Sequence, residues 1–423
     1  MLTTTAGWLL VRSDFGRVLI AIRENEERSA YLGIPVSRIK TMLMVFAGMV
    51  ASVAGFGYAA FSNVVAPEMA GFQLGTELLI WTALGGRATL LGPVFAAIGI
   101  DTISSWLSGA MPFVWKLLTG VAFVLVIVLL PRGLAPLIGA LWRKLRPKHV
   151  PKVHAIRLNP APAGRMLQAS FGDAPPLCLS QVSRRYGSLQ VLRDVNLDAH
   201  GTELLGIIGP NGAGKTTLMR CISDGNERTG GAVRVNNAEI ARGSPQDIVG
   251  LGVGRSFQNT NLFDTLTVGE CLQLARYRID GAKLFDRRET VSLPQPALDI
   301  LKTTGLDKML AEETRNLSHG MKRGLELAMV LATEPSVLLL DEPTAGLTRP
   351  ERMAIGAVLT RLTQEFGLCI MLIEHDLDFV RAICNRVVVL HQGAILMEGT
   401  VEEVVASDLV KAAYTGLQKE AVA

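Results

Sequence analysis

Apolar and charged positions are unevenly spread along this chain, and the unevenness divides it. Thr41–Phe61 runs 21 residues without a charge. At about 1.5 Å of rise per residue, a helix of that length extends roughly 31 Å, against a bilayer hydrocarbon core of about 30 Å. Gly48, Gly55 and Gly57 within it suit close helix packing rather than lipid exposure. Leu117–Leu130 is a second uncharged stretch, beginning near Phe113 and stopped by Pro131. Between them, Leu74–Leu84 and Leu90–Leu107 are shorter and broken by Gly85-Gly86-Arg87. They fit two further spans or one re-entrant pair, about four crossings in all. A buried hairpin of a soluble domain is the alternative reading of the same pattern.

Flanking charge separates these readings. Arg17, Arg23, Arg28, Arg38 and Lys40 precede the first span; Arg132, Arg143, Lys144, Arg146, Lys148 and Lys152 follow the last. Basic flanks on both sides put both ends in the cytoplasm, which requires an even number of crossings. Glu77, Arg87 and Asp101 lie in or near membrane depth, either as structural charges or as contacts to a pathway. Residues 13–40 are amphipathic and charged, as a solvated surface helix would be. Ala30-Tyr31-Leu32-Gly33-Ile34 predicts a short helix ended by Gly33 in a left-handed cap.

The join is different again. Arg143–Arg157 carries six basic residues, no acidic one, and His149 and His154. It fits a juxtamembrane anchor on anionic lipid better than a nucleic-acid patch, for no aromatics interleave it. No nucleic-acid partner is expected, since net charge over the 423 residues is only +4. Asn159–Pro176 is rich in proline and alanine and predicts an extended linker. The domains expected are a partial transmembrane domain over 1–141, a linker over 142–176 and a globular domain over 177–423. The five cysteines (178, 221, 271, 369, 384) have no metal-type spacing and all lie in the globular part, as in reduced cytosol.

In that globular part, residues 209–217 read GPNGAGKTT. Gly209, four residues, then Gly214-Lys215-Thr216 is the phosphate-binding loop pattern. Gly209, Gly212 and Gly214 allow the backbone to curl around a polyphosphate, with N–H groups directed at its oxygens, and Asn211 of the same loop is a candidate nucleotide-binding residue. Lys215 supplies a point charge at the β/γ-phosphates, and the Thr216 hydroxyl is a Mg²⁺ ligand candidate. The context fits: a buried-strand run, Glu203–Ile208, leads in, and a helix starts at Thr217 with its N-terminus facing the anion. Downstream, Val337–Leu340 ends in Asp341 and Glu342. Asp341 can hold Mg²⁺ through water, and Glu342 is placed to polarise an attacking water. Asn316–Met321 opens another helix with Ser318 as N-cap candidate, hence a second anion site. Gln258 lies in a loop, and His375 follows a hydrophobic strand. Each of these is weak alone; their order along the chain carries the inference.

That order resembles the ATP-binding cassette family over essentially all of 177–423. The resemblance implies an α/β P-loop ATPase with an antiparallel β subdomain and a helical signature subdomain, using ATP and Mg²⁺. It implies that Tyr186 stacks on adenine, that Gln258 senses Mg²⁺ and the water, and that His375 contacts the γ-phosphate. Thr217 belongs to the same nucleotide set. Ser318 and Gly320 bind the nucleotide of an opposite cassette, so a second cassette is an expected partner. Two departures stand out: LSHGM replaces LSGGQ, with Met321 the less usual residue, and Thr348 stands where an aspartate often closes the loop after Glu342.

More narrowly, IEHDLDFV (373–380), DEPTAGLT (341–348) and VKAAYTG (410–416) look like the ATPase of branched-chain amino acid importers. FGRVLIAIRENEERSAYLGI (15–34), ALGGRATLLGPVFAAIG (83–99) and LLPRGL (129–134) independently resemble the permease of the same system, although Arg87-Ala88 replaces the more usual Gly-Thr. The implied arrangement is an all-α type II importer bundle, a coupling helix near 21–34 and a multi-pass protein of the bacterial inner membrane with its ATPase in the cytoplasm. Implied partners are a second permease subunit, a periplasmic or extracellular substrate-binding protein and membrane lipid. Urea or short amides are alternative cargoes. Such permeases have more spans than the about four expected here, so a membrane-tethered ATPase without transport of its own is a competing expectation. An exporter half-transporter fits less well, since exporters of this order bring about 300 residues before the cassette.

Overall fold

The computed structural model describes residues 2–63, 71–86, 89–110, scattered positions between 117 and 134, and 156–161, 175–240, 243–258, 260 and 262–415. The 143–155 basic run, Arg87-Ala88, most of the linker, most of the Leu117–Leu130 stretch and Gly416 fall outside those residues. Two compact units emerge. One comprises residues 1–12 and 39–153; the other joins Ser13–Arg38 to the chain from Ile156 onward.

In chain order the first helices are α1 (Leu2–Arg12), α2 (Asp14–Glu24), α3 (Glu26–Ala30), α4 (Val36–Ser62), α5 (Phe72–Gly85) and α6 (Gly92–Ala110). Among the described residues one helix is long and apolar enough to cross a membrane, over Val36–Phe61. Its large side chains, Met42, Met44, Val53, Phe56 and Phe61 among them, are exposed. A Cβ added at Gly48, Gly55 or Gly57 would meet no atom within 4 Å, so the close packing expected at these glycines is not seen among the described residues. Glu77 lies on α5 and Asp101 on α6. The Gly85–Gly86 break is real, with Gly86 at φ 103°. There the backbone of Gly85 runs so close to Gly92 that a Cβ would lie 2.3 Å from its carbonyl carbon. Only glycine allows that approach.

The second unit is built on a sheet ordered β12-β11-β4-β10-β9-β7. Its strands are β4 (Leu204–Ile208), β7 (Val253–Arg255), β9 (Val337–Asp341), β10 (Cys369–Ile373), β11 (Arg386–His391) and β12 (Ala394–Gly399). All neighbours are parallel except the β11–β12 edge pair. β4, β9 and β10 are buried at every position, which explains their continuous apolar runs. Helices α7 (Lys215–Ser223), α8 (Val268–Ala275), α9 (His319–Ala332) and α10 (Arg349–Phe366) follow. A second, antiparallel sheet is ordered β3-β2-β5-β6, from β2 (Leu177–Tyr186), β3 (Leu189–Ala199), β5 (Gly230–Val235) and β6 (Ala238–Glu239). Leu177, Val182, Leu192 and Val233 of that sheet share one apolar core with Leu205, Ile207, Leu218 and Met371.

Part of the linker is paired. β1 (Arg157–Pro160) pairs in parallel with β8 (Thr290–Leu293). Ile156 is buried just before it, and its side chain packs against Gly269 of α8.

Residues 13–38 depart furthest from the solvated helix expected of them. The segment folds as α2 and α3, with Ser13 and Asn25 as N-caps, and is buried along one face against the second unit. The helix before Gly33 has Ala30 as its last residue and Tyr31 as its C-cap, still at φ −73°, with the Tyr31 N–H donating to the Glu27 carbonyl at 3.1 Å. Gly33 is left-handed at φ 80° and its N–H donates to the Ala30 carbonyl at 2.9 Å.

Candidate nucleotide site

Parallel strands that share one direction end together, and the groups at their carboxyl ends converge. β4 runs into the Gly209–Thr216 loop. β9 ends at Asp341 and β10 at Ile373, the two paired in register, and the Glu342 N–H donates to the Ile373 carbonyl at 2.9 Å. The loop, both carboxylates and His375 therefore meet at one edge.

The loop is fixed by glycine chemistry at two positions. Gly209 sits at φ 147°, and a Cβ there would lie 2.1 Å from the Leu390 carbonyl oxygen. Gly214, at φ 102°, is the N-cap of α7 and lies against Leu192. Asn211 and Gly212 at the tip are exposed, whereas Lys215 is buried. Its ammonium donates to the carbonyls of Gly209 at 2.7 Å and Pro210 at 3.1 Å. Burial pulls its pKa below the usual lysine value, opposed by Glu342 and Asp341.

Asp341 is buried, and burial raises its carboxyl pKa above the usual range; Arg255, Thr216 and Lys215 oppose that rise. Its Oδ1 has no hydrogen-bond partner among the described residues. A buried, unpartnered carboxylate oxygen beside a threonine hydroxyl is a donor set suited to a hard divalent cation. Glu342 adopts φ 49°, unusual for a residue with a Cβ and a local strain of order 1–3 kcal/mol. That turn aims its Oε1 at His375 Nε2, 2.9 Å away. Neighbouring Glu374 is held by the Thr344 N–H at 3.0 Å and hydroxyl at 2.6 Å, which anchors the strand end before His375.

Other expected residues stand outside this cluster. Tyr186 ends β2, half exposed, with the Arg184 guanidinium 4.1 Å over its ring and its hydroxyl donating to Glu227 at 3.0 Å. Ser318 is the N-cap of α9 and accepts from the Met321 N–H at 3.3 Å. Gly320 lies where a Cβ would come within 2.9 Å of Glu351 Oε1. Thr348 is the N-cap residue of α10, and its N–H and hydroxyl donate to Glu351 Oε2 at 2.8 and 2.7 Å. Gln258 is exposed, and its backbone carbonyl accepts from Arg323.

No motif in the sequence marks Arg323 or Glu326. Its guanidinium reaches the Phe257, Gln258 and Glu342 carbonyls and the Glu326 carboxylate. Glu326 in turn binds Arg28 of α3 at 3.2 Å. Beside it, Arg255 donates to Tyr31 at 3.2 Å and to Ser223 of α7 at 2.7 Å. Tyr31 and Phe257 meet edge to face, centroids 5.0 Å apart. Arg17 binds Glu270 at 2.6 Å and Asp14 at 2.9 Å. The signal in the sequence was thin: Arg323 and Glu326 lie three apart on α9, a spacing that solvated helix pairs share.

Comparison with known proteins identifies relatives for both parts of the chain. The family described as "ABC transporter" matches residues 192–345, and "Branched-chain amino acid transport system / permease component" matches residues 1–129. The chain is 35% identical over 250 residues to the high-affinity branched-chain amino acid transport ATP-binding protein BraF of Pseudomonas aeruginosa, covering 57% of this chain and 98% of that one. It is 34% identical over the same length to LivG of Escherichia coli K12, a protein of the same description, again covering 57% and 98%. Among solved structures, an ATP-binding cassette of an ABC transporter in its ADP conformation is 25% identical, covering 57% of this chain and 98% of that chain, with a TM-score of 0.49.

Proposed function

Because this chain belongs to the ABC transporter family of the branched-chain amino acid type, and joins a permease-family segment to an ATP-binding cassette, we propose that it couples ATP hydrolysis to import of branched-chain amino acids or closely related small solutes. The cassette is an ATPase. The observation that carries the coupling is the burial of Ser13–Arg38 in the cassette unit, with Arg28 at 1% exposure. That segment continues directly into α4, the apolar helix, so the two halves of the machine are covalently joined there. It is the coupling segment of this reading. The relatives' names support the cargo class.

In this reading each residue takes a distinct role. Lys215 leaves its carbonyl partners to bind the β/γ-phosphates, and the loop N–H groups line the remaining oxygens. Thr216, Asp341 and Gln258 would hold Mg²⁺, which supplies charge neutralisation on the phosphate oxygens. Glu342 takes a proton from the attacking water, with His375 fixing the carboxylate and touching the γ-phosphate. Tyr186 turns from Arg184 and Glu227 to the adenine face. Ser318 and Gly320, at the N-terminus of α9, serve the nucleotide of a second cassette in a head-to-tail dimer. The membrane half is a multi-pass bundle of about four spans that works with a partner permease subunit in the bacterial inner membrane, fed by an extracytoplasmic binding protein. The 143–157 basic run meets anionic lipid.

Asp341→Asn tests the cation site. A buried carboxylate whose pKa is raised costs stability while charged, at every pH above that raised value. The neutral amide removes this cost, so the nucleotide-free thermal midpoint should rise while the stabilisation given by Mg-ATP falls. A midpoint that drops, with Mg-ATP stabilisation retained, rules out this role.

Transport is tested by reconstituting the chain in proteoliposomes, alone and with a permease subunit, a cassette and a binding protein of this importer type. ATP-driven leucine uptake is expected only from the complete assembly. Uptake of urea or short amides but not leucine reassigns the cargo; uptake by the chain alone overturns the need for partners.

A further inference from the structure

We propose that Arg28 and Arg323, joined through the shared carboxylate of Glu326, form a buried relay that keeps the 257–258 loop and the Glu342 backbone in their hydrolytic arrangement only while the 13–38 segment is seated. The inference rests on the reading of Glu342 as base and goes beyond it: Arg28, Glu326 and Arg323 are positioning residues that touch no nucleotide.

The connections are complete from end to end. Glu326 Oε1 accepts from Arg28 at 3.2 Å and from the Phe257 N–H at 2.9 Å, and Oε2 accepts from Arg323 at 3.0 Å. Arg323 then donates to the Phe257 carbonyl at 2.5 Å, to the Gln258 carbonyl, and to the Glu342 carbonyl at 3.3 Å. A guanidinium is a rigid planar fork, so a rotation that improves one of these bonds degrades the others. The three side chains are no more than 3% exposed, and two cations share one anion. Burying an uncompensated cation is costly, so the terminal nitrogens of both guanidiniums are held to their acceptors by the absence of water to replace them, although the Nε atoms of Arg28 and Arg323 are buried without an acceptor among the described residues. Without Arg28, Glu326 loses one of its three donors, and the remaining pair is neutral and free to close on itself. Arg323 then turns toward Glu326 and away from the carbonyls of Gln258 and Glu342. The fold survives, since no charge is left unpaired, but the register of the catalytic loop does not.

Arg17 is the internal comparator. It is equally buried on the same segment, held by Asp14 and Glu270, and Glu270 belongs to α8, outside the relay. A general docking effect would strike Arg17 and Arg28 alike.

The experiment uses the full-length chain in lipid nanodiscs. It reads steady-state ATP hydrolysis against Mg-ATP concentration, and the Kd of a fluorescent ATP analogue. Arg28→Met should lower kcat about tenfold with Kd within about twofold, and Arg17→Met should keep kcat within about twofold. Arg28→Lys should fall between, because a point donor replaces the fork but the charge stays. If Arg28→Met does not fold, Arg28→Lys decides: a several-fold loss of kcat at unchanged Kd supports the relay. Full kcat in either Arg28 variant, an equal loss in Arg17→Met, or parallel loss of kcat and affinity overturns it. Glu342→Gln, run alongside, separates the two ideas: if it retains turnover the base assignment fails, while the Arg28–Arg17 contrast still reports on the relay.

Discussion

Glu342→Gln should bind ATP as the unmutated chain does and lose turnover by about 10²–10⁴-fold, the usual contribution of a positioned base. The substitution changes one atom and keeps volume. An amide oxygen can still accept from His375 Nε2, so the 2.9 Å contact survives. The φ of 49° is a property of the turn between β9 and the Thr344 loop and is not relieved by the change. What disappears is basicity. Lys215, the loop glycines and Asp341 are untouched, so nucleotide affinity and Mg²⁺ dependence of binding should persist, and ATP-dependent pairing of cassettes should lengthen in lifetime. The measurement is single-turnover hydrolysis beside equilibrium ATP binding. Hydrolysis near the normal rate would remove Glu342 from the role of base and leave it as a hydrogen-bond anchor for His375.

The cluster at the strand ends was legible in the sequence because it is local. Gly209–Thr216, the Val337–Glu342 run and the Ile373–His375 strand end each carry their chemistry within a few residues of a strand terminus. Parallel pairing then brings the termini together without further information. Ser318 as an N-cap was legible for the same reason. The contacts of residues 13–38 were not. Arg17 and Arg28 have the composition of a wet helix face, and only partners 253 and 298 residues away make them interior groups. Sequence period reports that one face is polar; it does not report that the polar face meets a carboxylate instead of water. The β1 strand was hidden likewise, since four residues ending in proline carry too little pattern to predict pairing with β8. The membrane half stays coarse because a span is recognised by length and apolarity, and among the described residues only Val36–Phe61 meets both.

The largest stability effect should come from Glu326→Gln. The carboxylate is 2% exposed and serves two guanidiniums and one N–H. The amide keeps one carbonyl acceptor, but its NH₂ now faces a cation, and two buried positive charges stand together with nothing negative between them. Removing one partner of a buried ion pair costs about 3–5 kcal/mol. Against a typical domain stability of about 5–15 kcal/mol, that is a large share, and it should appear as a marked drop in the thermal midpoint of the full chain. The double variant Arg28→Met/Glu326→Gln should be less destabilised than Glu326→Gln alone, because it removes one of the stranded cations. Arg28→Met by itself should cost little. A cycle with that sign is specific to a shared carboxylate; independent docking contacts would add instead. If Glu326→Gln melts within about 1 kcal/mol of the unmutated chain, water reaches this cluster in solution, the pair is of the exposed kind, and neither the seating of residues 13–38 nor the relay through Arg323 rests on it.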